Sequence, residues 1–143
     1  IVCTSFIMKR STDYNHLIKL VMDTLCYIRE IYQAISEFEI FFHQKYGISL
    51  NEGMLLCSLK NGSLPAGEIA KKLNLSQSNT SKVLKSVESK KLVKRTLGEK
   101  DRRQIYYLLT STGKNTIDNI KCEKENMPSL LKCLVENANN PKP

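Results

Sequence analysis

The sequence predicts a mainly α fold with one small β-hairpin, an α+β arrangement in a single domain spanning residues 1–143. Three observations carry this. Apolar residues recur every three or four positions along most of the chain, the period of an amphipathic helix. Two short β-type runs, Leu92 to Leu97 and Gln104 to Thr110, flank the polar turn from Gly98 to Arg103, the pattern of a hairpin with a charged tip. A hydrophobic content of 41%, with only six glycines and four prolines, is that of a chain with a real core rather than a low-complexity one.

From Tyr14 to Tyr46 the positions Tyr14, Leu17, Val21, Leu25, Ile28, Tyr32, Ile35, Phe38 and Phe42 form one long stripe. Ile18, Leu20, Met22, Ile31 and Phe41 widen it beyond what a surface helix needs, so a second surface must cover it. Gly47 ends this helix. Ser49 and Glu52 read as a capping box that starts a helix through Met54, Leu55, Cys57 and Leu59, stopped at Asn61-Gly62. Pro65 opens a short helix through Ile69, Ala70 and Leu73, because its missing N–H costs nothing in a first turn. Asn74-Leu75 is a tight turn, and Ser76 caps a helix running to about Lys90 with Val83, Leu84 and Val87 inward. After the hairpin, Thr110 or Ser111 caps a helix carrying Ile117 and Ile120, which Pro128 must kink or end. A last helix, Ser129 to about Asn137, carries Leu130, Leu131, Leu134 and Val135.

The charge is not evenly spread. Lys71 to Arg103 holds eleven Lys or Arg and three Asp or Glu; with totals of 22 and 14, eleven of each sign lie elsewhere, so the whole net charge of +8 sits in this window. Such a patch favours a polyanion, nucleic acid before an anionic membrane, because binding releases condensed counterions. Five widely spaced cysteines without a C-x-x-C pair suggest reduced thiols and a cytoplasmic protein. The apolar opening, Ile1 to Met8, is too short for a signal core or a membrane span, and Met8 is a candidate start. His16 and His43, 27 residues apart without neighbouring ligands, give no reason to expect a metal, and no cofactor motif is present. No phosphate loop or nucleophile elbow points to an enzyme.

Leu64 to Glu88 has the spacing of a helix-turn-helix. Ala70 is small where two helices approach, Leu73 and Leu75 bracket the turn, and Val83 and Leu84 anchor the second helix. Its other face presents Ser76, Gln77, Ser78, Asn79, Thr80, Ser81 and Lys82, short polar groups able to bond to base edges in a major groove, with Lys85 one turn on for a phosphate. A helix-turn-helix followed by a basic hairpin is a winged helix, with Lys94, Arg95, Lys100, Arg102 and Arg103 as a wing along phosphates or in the minor groove. The alternative use of such a module is protein–protein interaction without specific DNA binding.

From Gly62 to Gly113 the chain resembles the multiple-antibiotic-resistance regulator (MarR) family: the Ile69-Ala70 helix, Leu-Ser-Gln-Ser at Leu75 to Ser78, Leu92-Val93-Lys94-Arg95 entering the wing, Asp101-Arg102-Arg103 in it, and Leu109-Thr110 with Gly113 leaving it. The resemblance implies a winged helix-turn-helix over 48–110 with N- and C-terminal dimerisation helices at 12–47 and 111–138. It also implies a homodimer on a pseudo-palindromic operator, acting as a ligand- or redox-responsive repressor. Asp101 would pair with Arg103 while Arg102 reaches the minor groove. Where the family often has Gly before the first wing strand this chain has Lys91, so Lys90 or Lys91 must take a left-handed backbone or the helix must end differently. A small aromatic anion as effector would sit among Phe38, Phe41, Phe42, His43 and Tyr46. Cys26 stands one residue from the place of the reactive cysteine in peroxide-sensing members; without the tyrosine pair those sensors carry, a buried structural thiol is the expected reading.

Overall fold

The computed structural model describes residues 3–98, 102–120 and 127–139, with side chains described over 22–98, 102–120, 127–133 and 135–136. Its elements are α1 (Cys3–Tyr46), α2 (Leu50–Ser58), β1 (Leu64–Pro65), α3 (Ala66–Leu73), α4 (Gln77–Ser89), β2 (Val93–Leu97), β3 (Ile105–Leu109), α5 (Ser111–Ile120) and α6 (Ser129–Asn139). They fall into two compact units, Ile1–Phe38 with Pro128–Pro143, and Glu39–Met127. Among the described residues no helix is long and apolar enough to cross a membrane.

In the first unit α1 begins at Cys3, well before the start that the apolar period sets at Tyr14. No Gly or Pro stands between Thr4 and Asp13, so nothing in that stretch stops a helix. Met22, Leu25, Ile28, Tyr32 and Ile35 on this helix are 41–74% exposed, and Val135 on α6 is 38% exposed.

The second unit is a winged helix. Gly47, at φ +68°, ends α1 with its N–H donating to the His43 carbonyl at 2.8 Å. The capping box then starts α2: the Glu52 N–H donates to Ser49 Oγ at 3.2 Å and the Ser49 N–H to Glu52 Oε2 at 2.7 Å. Helices α2, α3 and α4 enclose a core in which Leu55, Leu56, Ile69 and Val87 have no exposed surface. Each such side chain contributes about 1.5–3 kcal/mol by leaving water. The sheet order is β1-β3-β2, all antiparallel, with Val93 opposite Leu109 and Leu97 opposite Ile105 in the hairpin. Strand β1, two residues pairing Leu64 with Tyr107 and Pro65 with Tyr106, is an addition to the predicted elements.

Candidate nucleic-acid interface

The turn between α3 and α4 is built from Asn74, which takes the left-handed conformation (φ 51°, ψ 42°) its short polar side chain tolerates. The Leu75 N–H then donates to the Ala70 carbonyl at 3.0 Å, closing α3. Ser76 opens α4 as its N-cap, its hydroxyl accepting from the Asn79 N–H at 3.2 Å.

Helix periodicity sorts the rest of α4. Thr80, Leu84 and Val87 are buried, whereas Gln77, Ser78, Asn79, Ser81, Lys82 and Lys85 are exposed. Ser78, Ser81, Lys82 and Lys85, at i, i+3, i+4 and i+7, form one outward stripe opposite the core. Thr80, expected on that face, does not lie there. It is 2% exposed, and its hydroxyl donates to the Ser76 carbonyl at 2.9 Å, because one turn before Leu84 it falls on the inward side.

The C-terminal end of α4 is held by a charged cluster that the sequence reading missed. Glu52, 4% exposed, accepts from the Lys90 ammonium through both carboxylate oxygens at 2.9 and 2.8 Å, and from the Ser86 hydroxyl. Lys90 also donates to the Gly47 carbonyl at 2.9 Å, tying the end of α1, the start of α2 and the end of α4 together. Burial pushes the Glu52 carboxyl up, but the Lys90 ammonium, the Ser86 hydroxyl and the Ser49 N–H outweigh it and hold it below the ordinary value. Glu52 was legible in sequence only as half of a capping box; its pairing across 38 residues left no local signal.

Lys91 is the residue at positive φ, +58°, in the place where the resemblance puts glycine. The Leu92 N–H donates to the Val87 carbonyl at 2.9 Å across it, so α4 ends in the same left-handed closure and β2 departs at once. On the far side of the hairpin, Thr110 Oγ1 donates to the Lys91 carbonyl at 2.7 Å and accepts from the Gly113 N–H at 3.1 Å. Gly113 is required there, since a Cβ would stand 2.1 Å from the Leu92 carbonyl oxygen.

On the wing, Lys94, Arg102 and Arg103 are exposed, while Lys100 and Asp101 lie outside the described residues. Arg95 is differently placed from its neighbours: its Nε and Nη2 donate to the two carboxylate oxygens of Glu88 at 2.5 and 2.6 Å. The structure thus brings together the outward stripe of α4 and the exposed cations of the hairpin on one unit, with Lys90 and Arg95 turned to internal carboxylates.

The remaining candidate residues lie on α1. Phe42 is 4% exposed, lies 5.0 Å from the Tyr46 ring centroid, and has its ring against Gly53. His43 is exposed, and Phe38 and Tyr46 are half-buried. Cys26 is exposed rather than buried: one position past Leu25, it is turned about 100° around the helix from that side chain, off the stripe of Leu25, Ile28, Tyr32 and Ile35.

The profile of the transcriptional regulators SarA and Rot matches residues 38–120, more than half of the chain. The HTH-type transcriptional repressor MdtR of Bacillus subtilis (strain 168) is 31% identical over 96 residues, 66% of this chain, which spans 62% of the length of that relative. Among solved structures, the MepR–DNA complex of S. aureus superposes with a TM-score of 0.64 at 24% identity, covering 77% of this chain and 80% of that one. BldR of Sulfolobus solfataricus gives 0.63 at 22% identity, covering 85% and 94%. These neighbours are regulators of the MarR type, as the central motifs suggested, and regulators of this kind are not enzymes. The match over the winged helix, together with its geometry, shows that the chain belongs to the SarA/Rot family of transcriptional regulators.

Proposed function

We propose that this chain is a sequence-specific double-stranded DNA-binding regulator that acts as a homodimer and represses transcription. The observation that carries the reading is the outward stripe Ser78, Ser81, Lys82 and Lys85 on α4, adjoining a hairpin that exposes Lys94, Arg102 and Arg103. The first turns of α4, with Gln77, Ser78, Asn79 and Ser81, reach base edges in the major groove; Lys82 and Lys85 neutralise phosphates; and Arg102, with Lys100, Asp101 and Arg103 beside it, enters the minor groove. The DNA-bound MepR and the repressor MdtR support DNA as partner and repression as outcome.

Dimerisation rests on helices 12–47 and 111–138. Leu25, Ile28, Tyr32 and Ile35 recur at i, i+3, i+7 and i+10, an uncovered apolar stripe of the kind that marks a subunit interface. A two-fold dimer would set two α4 helices into a pseudo-palindromic operator about 34 Å apart, one turn of DNA. The regulatory inputs in this reading are oxidation of the exposed Cys26 and a small aromatic anion at Phe38, Phe42, His43 and Tyr46, where Phe42 must shift from its packing against Gly53 to admit it.

The test is fluorescence anisotropy on the duplex upstream of the protein's own gene, at two salt concentrations, with wild type and Arg102→Ala. Sequence-preferring, salt-sensitive binding weakened by the substitution supports the regulator. Binding that is absent or indifferent to salt points instead to a protein-interaction winged helix. Release of bound DNA by peroxide in wild type and in Cys26→Ser then tests the redox input.

A further inference from the structure

Helix α4 carries one acidic residue, Glu88, an arrangement unfavourable for an element that lies along a polyanion. The structure shows what that carboxylate holds. Arg95 on β2 meets it with two parallel hydrogen bonds of 2.5 and 2.6 Å, the planar fork-to-carboxylate geometry that fixes direction as well as distance. The guanidinium also lies 5.8 Å from the ring centroid of Tyr107, which is only 8% exposed. Tyr107 in turn is the residue of β3 that pairs with Arg95 on one side and Leu64 on the other. A stack of Glu88, Arg95 and Tyr107 therefore runs from the middle of the sheet to the last turn of α4. The hydrogen bonds that Arg95 donates to Glu88 push the pKa of its guanidinium above the ordinary value.

We infer that Glu88 and Arg95 are positioning residues: they set the angle between the hairpin and α4 so that both reach one duplex, and neither touches DNA. This rests on the DNA-binding reading above. The chain turns at Lys91 in a left-handed conformation, and beyond that turn the Glu88–Arg95 pair is a second tie between the hairpin and α4. Glu88 takes the Nε and Nη2 edge of the Arg95 guanidinium and compensates its charge, which weakens its pull on a phosphate.

The opposite account makes Arg95 a phosphate contact and Glu88 a charge that repels DNA. The two differ in sign. Removing an acid near DNA should tighten binding by simple electrostatics, whereas loosening the hairpin should weaken it. Anisotropy titrations over a range of salt would be run on wild type, Glu88→Gln, Arg95→Ala, the double variant Glu88→Arg with Arg95→Glu, and Lys82→Ala as a control. Circular dichroism would establish that each is folded.

Positioning predicts about tenfold weaker binding for Glu88→Gln and for Arg95→Ala, recovery of most of that loss in the charge-exchanged pair, and a salt slope unchanged by Arg95→Ala. Lys82→Ala should lower the slope by about 0.9 per subunit. Tighter binding by Glu88→Gln, or a slope lowered by Arg95→Ala as much as by Lys82→Ala, overturns the inference while leaving DNA binding in place. Absence of salt-dependent binding by the wild type overturns both.

Discussion

Removing the Glu52 side chain is the most informative single perturbation of the winged unit, because one carboxylate serves three partners. Glu52→Ala loses the reciprocal half of the α2 capping box, worth about 1 kcal/mol. It strands the Ser86 hydroxyl, half-buried beside it, at about 1 kcal/mol. It also breaks the pair with Lys90, whose side chain is 35% exposed and can rehydrate, so that contact is taken at about 1 kcal/mol rather than the 3–5 of a fully buried pair. The sum, about 3 kcal/mol, corresponds to a melting temperature lower by about 10 °C for a chain of this length. Circular dichroism melts at one fixed subunit concentration measure it, since association shifts apparent stability. The sign with pH is also set. The folded pKa of Glu52 lies below its ordinary 4.5, so its contribution is complete above about pH 4.5 and is lost as pH falls through the folded value. The gap between wild type and Glu52→Gln should therefore be constant near neutrality and close in acid. A loss under about 0.5 kcal/mol for Glu52→Ala, or a Glu52→Gln gap that widens in acid, would refute this account of the cluster.

Two further substitutions probe the junction where α4 turns into the hairpin. Gly113→Ala places a Cβ 2.1 Å from the Leu92 carbonyl oxygen, which is backbone and cannot swing away, so a loss of about 3 kcal/mol in urea denaturation is expected. Lys91→Gly should instead stabilise by about 0.5–1 kcal/mol, the relief of a left-handed L-residue less the greater freedom of glycine in the unfolded chain. An unchanged urea midpoint would show that the junction carries no strain.

The helices, their caps and the hairpin were legible in sequence because their signals are local. Ser49 with Glu52, Asn74, Ser76, Thr110 and the two β-type runs around a polar turn each act within a few residues of where they stand. What was not legible is what depends on distance or phase. Strand β1 is two residues long and includes Pro65, which in sequence marks only the start of α3, and its pairing partner lies more than forty residues away. Thr80 looked like its polar neighbours, yet one position of helical phase turns it into the core. Arg95 and Lys90 looked like members of a uniform basic patch, and only the fold shows carboxylates from other elements facing them.

That division of the basic residues leads to a double dissociation. Lys85 and Lys90 are five residues apart on and just past α4, and both are exposed by residue, so sequence and burial alone would treat them alike. Lys85 sits on the outward stripe, where it would neutralise a phosphate and contribute little to the fold. Lys90 spends its ammonium on Glu52 and the Gly47 carbonyl. Lys85→Gln should therefore leave the melting temperature within about 1 °C while lowering the slope of log affinity against log salt by about 0.9 per subunit. Lys90→Gln should do the converse: it leaves Glu52 nearly buried without its cation, lowering the melting temperature by several degrees, while the salt slope of the folded protein stays as in wild type. If Lys90→Gln lowered the slope as much as Lys85→Gln, the ammonium would have to exchange Glu52 for a phosphate on binding. The cluster would then be a contact surface rather than a brace for α4.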